Sequence, residues 1–87
     1  MNETTAEKIK TDIEKHYRSM QINDICVNGE GVDIDATTKH PEHFEFVANR
    51  ILMMHKEIRI VIFHGKVMDY AYTRETLKWL GFTSFNN

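Results

Sequence analysis

The sequence predicts a small α+β domain of αββαββα order, with an antiparallel, four-stranded sheet and helices mainly on one face. Three observations in its 87 residues predict it. Ile58-Arg-Ile-Val-Ile-Phe63 is the most apolar and most β-branched run, and any core must be built on it. Residues 4–20 and 41–56 repeat apolar side chains every three or four positions, the period of amphipathic helices. Residues 24–37 alternate apolar and polar side chains about Asn28-Gly29, the pattern of a hairpin.

In chain order, Thr4-x-x-Glu7 forms a capping box that starts the first helix. Ala6, Ile9, Ile13, Tyr17 and Met20 line its inner face, and Glu14 stands four residues before Arg18, the favoured order for an ion pair. In the hairpin that follows, Ile25 and Val27 alternate with Cys26, and Val32, Ile34 and Ala36 alternate with Asp33 and Asp35. Asp33, Asp35 and Thr37 then share a wet face, which places their strand toward an edge. Pro41 suits the first position of the second helix, with Glu42 in its first turn. Phe44, Val47, Ala48, Ile51, Leu52 and His55 form its buried stripe. Phe46, Met53 and Met54 widen that stripe beyond what one sheet face covers, which marks Phe46 and Met53 as contact candidates.

Residues 58–72 read as a second hairpin about a two-residue turn, His64-Gly65. That turn sets Phe63 opposite Lys66, Val61 opposite Met68 and Arg59 opposite Tyr70, so these six share one face. Ile58, Ile60 and Ile62 share the other with Val67, Asp69 and Ala71. A competing reading begins the last helix near Asp69, because Val67, Tyr70, Ala71, Leu77 and Leu80 approximate helical spacing. The preferred closing helix runs from Thr73 to Leu80 with Leu77 and Leu80 inward, and Gly81 ends it in the left-handed conformation. Phe82 to Phe85 then pack down as an extended tail. A shift of 36 residues superimposes Gly29 on Gly65, Asp33 on Asp69 and Thr37 on Thr73, which suggests that the topology is duplicated.

Composition narrows the function. The 41% apolar and 28% charged fractions are those of an ordinary globular chain, and a net charge of −2 leaves no overall basic footprint for nucleic acid. Cys26 is the lone cysteine, so neither an internal disulfide nor a Cys/His metal motif is expected. The polar N-terminal stretch lacks the apolar core of a signal peptide and no apolar run reaches membrane length, so a cytoplasmic protein without membrane contact is expected.

Catalytic patterns are weak. His40-x-x-His43 brings two zinc-type ligands near one helix start, but no third ligand has matching spacing. Asp33 and Asp35 could perturb each other as paired carboxylates, but on a wet strand their repulsion is screened. Gly29-Glu-Gly31 precedes a strand, where a phosphate loop needs a helix. No enzyme, cofactor or metal is expected.

The expected binding surface therefore comprises Arg59, Val61, Phe63, Lys66, Met68 and Tyr70, with Phe46 and Met53; the competing reading is that the final helix covers the hairpin face, making Val61, Phe63 and Met68 core with Arg59 and Lys66 at its rim. The expected function is that of a small regulatory protein acting through protein–protein contacts and associating with itself as a homodimer. The alternative is single-stranded nucleic-acid binding, with bases stacked on Phe63 and Tyr70 and phosphates paired with Arg59 and Lys66.

Overall fold

A computed structural model describes residues 4–85. The chain folds as α1 (Thr5–His16), β1 (Gln21–Asn28), β2 (Gly31–Thr37), α2 (His43–Met54), β3 (Ile60–His64), β4 (Asp69–Thr73) and α3 (Arg74–Trp79), the expected αββαββα order. Thr4 caps α1 by accepting the Glu7 amide at 3.1 Å. The helix stops at His16, so Arg18 lies past its end and outside the expected pairing with Glu14. Asp69 to Thr73 form a strand, which rules out the earlier helix start.

The four strands lie in the order β1-β2-β3-β4. Both hairpins are antiparallel, but β2 and β3 run parallel, which corrects the expectation of a wholly antiparallel sheet. The cause is α2, which carries the chain back along the sheet so that β3 starts from the same end as β2. β2 is consequently an inner strand and not an edge. Asp35 and Thr37 are exposed because the sheet has no second layer among the described residues.

Both turns differ from the sequence reading. The first loop is Gly29-Glu30, one residue later than expected, with Asn28 paired to Gly31. Gly29 adopts φ +63°, a conformation that glycine reaches without the steric cost other residues incur. The β3–β4 loop spans residues 65–68 where two residues were expected. Phe63 therefore opposes Tyr70, Val61 opposes Tyr72, and His64 opposes Asp69. Gly65 is required by crowding: a Cβ there would stand 2.8 Å from the Met68 carbonyl oxygen, which accepts the Gly65 N–H at 3.2 Å.

All three helices contribute to one core on one side of the sheet. Ile9 and Ile13 of α1, Val47, Ile51 and Leu52 of α2, and Leu77 of α3 meet Val32, Ile34, Val61 and Phe63. Phe63 stacks on Phe44 with ring centres 4.4 Å apart and meets the edge of Tyr72 at 6.0 Å. Leu80, expected inside, is outside: it is the C-cap of α3, and Gly81 turns the chain at φ +101°. Phe82 and Phe85 fold back against the core as expected.

Two arginines join the elements. Arg50 of α2 grips Asp12 of α1 with both arms of its guanidinium, one at 2.9 Å. This holds the Asp12 carboxyl below its usual pKa, chiefly through the Arg50 hydrogen bond. Arg74 donates to the carbonyls of Leu52 at 2.8 Å and His55 at 3.2 Å, at the end of α2 where no basic residue of the helix itself lies. It thereby satisfies carbonyls that the last helical turn leaves open, and its charge complements the helix dipole.

Candidate interaction surfaces

The expected face of six residues is divided by the fold. Val61 and Phe63 are fully buried, and Tyr70 is half-buried with its ring 5.2 Å from Phe44. Lys66 and Met68 lie in the β3–β4 loop, not on a strand, because the turn is two residues longer than expected. An even change keeps the alternation in step, so Tyr70 still shares a face with Val61 and Phe63, and Asp69 and Ala71 still share one with Ile60 and Ile62. Helices cover the aromatic face, and the open face is the one with Ile60 and Ile62. Arg59 is exposed before β3 and lies 3.4 Å from the Glu30 carboxylate.

Phe46 and Met53 remain as a surface pair, 49% and 53% exposed. With Asn49 they occupy positions i, i+3 and i+7 of α2, which form one ridge. The Asn49 amide reaches the Met53 sulfur at 3.6 Å. Phe82 meets Phe46 edge-on at 5.5 Å, and Leu80, 45% exposed, shares a groove with that pair. On the other side of Ser84, Met53 and Phe85 line a second groove, with Arg74 lying 5.7 Å over the Phe85 ring. Trp79, 89% exposed, ends α3 immediately before Leu80. Exposed apolar side chains thus follow the outer ridge of α2 and the chain that folds back beside it.

The open face of the sheet has a different chemistry. Asp33 and Asp35 of β2 project there with Cys26 and Asp24 of β1, around a strip of Ile60, Ile62 and Ala71. His64 lies between two carboxylates: its Nε2 is 2.8 Å from Asp33 Oδ1, and its Nδ1 is 3.3 Å from Asp69 Oδ1. The Asp33 hydrogen bond is the main cause of a His64 pKa above the ordinary histidine value, and the Asp69 charge adds to it.

Sequence reasoning placed His64 in a turn and did not set it beside Asp33. A faint signal existed, since the shift of 36 residues superimposes the two aspartates that flank it. The contact became visible only once β2 was known to lie beside β3. Cys26 is exposed, because the face it occupies is uncovered.

His40 and His43 do approach, with ring centres 5.1 Å apart, but His40 lies 3.4 Å from Glu42 and His43 packs against Tyr17. Among the described residues, no three His, Cys, Asp or Glu side chains are grouped to hold a metal ion. No described helix is long and apolar enough to cross a membrane.

Comparison of the chain with protein-family models, curated proteins and solved structures finds no match in any of the three.

Proposed function

We propose that this is a small non-catalytic interaction protein, regulatory in role, that self-associates through the outer ridge of α2 and the chain segment beside it. One observation carries the reading: Phe46, Met53 and Leu80 are each about half exposed along one flank of the molecule. Apolar groups gathered on one surface, with polar neighbours such as Asn49 and Lys56, are the composition of a contact patch and not of scattered surface chance. A homodimer with two-fold symmetry needs one self-complementary patch, and an antiparallel pair of α2 ridges would set Phe46 of one copy against Met53 of the other. Trp79 adds the residue type most often found at energetic centres of interfaces. A cytoplasmic setting suits the exposed free thiol of Cys26.

The nucleic-acid alternative has less support. Phe63 is unavailable for stacking, Arg59 lies beside Glu30, and the open sheet face presents carboxylates that repel phosphate.

The test is the double substitution Phe46→Asp with Met53→Asp, followed by size-exclusion chromatography with light scattering. Because both side chains are half exposed, the fold should persist by circular dichroism while the associated mass falls to that of one chain. Unchanged association in a folded variant would move the interface elsewhere.

A further inference from the structure

We propose that His64 is a proton-controlled latch on the β3–β4 loop: its imidazolium bridges Asp33 on β2 and Asp69 at the far end of the loop, and loss of one proton frees Asp69 and loosens residues 65–68. The reason is valence. A carboxylate only accepts hydrogen bonds, so the 2.8 Å contact requires a hydrogen on Nε2, and the Asp69 oxygen 3.3 Å from Nδ1 is attracted there only when that nitrogen is protonated as well. Only the imidazolium supplies two. Neutral imidazole keeps one donor and turns a lone pair toward the other carboxylate, which repels it. The Asp33 bond is the shorter and retains the proton, so the Asp69 contact yields.

Position gives that loss a consequence. His64 and Asp69 are the last paired residues before the loop, so their contact closes its base. The single Gly65-to-Met68 backbone hydrogen bond, at 3.2 Å, then spans the loop. Val67 is 95% exposed and Met68 is also outside. Together with Ala36, Phe44 and Tyr70 they wall a crevice of about 190 Å³ at the carboxyl ends of the two parallel strands. The latch therefore controls how firmly an apolar loop is held over a crevice.

The surrounding charges favour the closed form. Asp33 and Asp35 face His64 from β2, the latter as its direct neighbour across the parallel pair, and Asp69 faces it from β4. Asp24 and Cys26 lie one strand further away on β1, and Lys66 is the nearest basic residue in the loop. Carboxylates outnumber the nearby ammonium, so they stabilise the cationic ring. Release accordingly falls on the alkaline side of the ordinary histidine range, in the direction of the raised His64 pKa.

The experiment is an NMR titration of the full chain from about pH 5 to about pH 9, reading the histidine ring protons and the backbone amides. His64 should titrate with a midpoint above about 6.5, and the amides of residues 65–69 should shift with the same midpoint. Asp69→Asn should abolish the loop response while leaving a raised His64 midpoint, and Asp33→Asn should bring that midpoint down toward the ordinary value. His64→Gln should make the loop insensitive to pH; if that variant does not fold, Asp69→Asn decides the matter. Loop amides that stay still while His64 titrates, or that move equally in Asp69→Asn, would overturn the proposal.

Discussion

Phe63→Ala and Phe46→Ala are chemically the same substitution, but the structure predicts very different costs. Phe63 is fully buried, stacked on Phe44 at 4.4 Å and set edge-on to Tyr72 at 6.0 Å. Removing its ring leaves a cavity under α2 and two unmatched aromatic partners, a loss of about 3–5 kcal/mol. A chain of this length holds roughly 4–13 kcal/mol in total, so that single change consumes a large part of its stability. Phe46 is half exposed and touches Phe82 at 5.5 Å. It loses about half of a transfer free energy of about 1.5–3 kcal/mol and leaves no sealed cavity, for a cost of about 1 kcal/mol. Urea unfolding followed by circular dichroism measures both. With a slope of about 1 kcal/mol/M, the Phe63 variant should lose about 3 M or more in midpoint and the Phe46 variant about 1 M. If Phe63→Ala leaves too little folded protein to measure, Phe63→Leu should still cost about 1 kcal/mol. Equal, small shifts for Phe63→Ala and Phe46→Ala would refute the assignment of the aromatic face to the core and reopen it as a binding surface.

Further expectations follow from the arginines. Arg74→Ala removes the hydrogen bonds to the Leu52 and His55 carbonyls and the contact with Phe85; it should cost about 1.5–3 kcal/mol, read as a fall in melting temperature. Arg74→Lys should recover part of this, because the carbonyl contacts all come from the single nitrogen Nη2, while the planar guanidinium over the Phe85 ring is lost. Asp12 has a folded pKa below its unfolded value of about 3.8, so its contribution is present above that value and is lost as pH falls through the lowered one. Asp12→Asn should therefore cost about 1 kcal/mol at neutral pH, a modest figure because Arg50 is partly exposed, and should flatten the acid limb of a stability-against-pH curve.

Most of the fold was legible because local rules agreed with the global arrangement. The Thr4 cap, the α2 stripe from Phe44 to Leu52, and the alternation through Val32, Ile34 and Ala36 each have one good solution. What failed depended on chain reversals. The sequence around His64 does not state how many residues the turn takes, and two extra residues moved Lys66 and Met68 off the sheet. Nor does alternation say which face of a strand the helices will cover. Both faces of 58–63 are apolar, so Ile60 and Ile62 were as plausible a core as Val61 and Phe63. The parallel pairing of β2 with β3 is non-local, and with it went the chance to see Asp33 beside His64. By contrast, Phe46 and Met53 were legible as surface because one helix cannot turn so wide an apolar stripe toward a single layer.

The central claim is that the exposed flank of α2 joins two copies of this chain. Sedimentation of the unmodified protein over a concentration range, at low and at high salt, tests it most directly. An interface built on Phe46, Met53 and Leu80 predicts a concentration-dependent dimer whose affinity changes little with salt, because apolar burial and not charge drives it. A monomer at every concentration and both salts would contradict self-association and leave that flank without the role assigned to it.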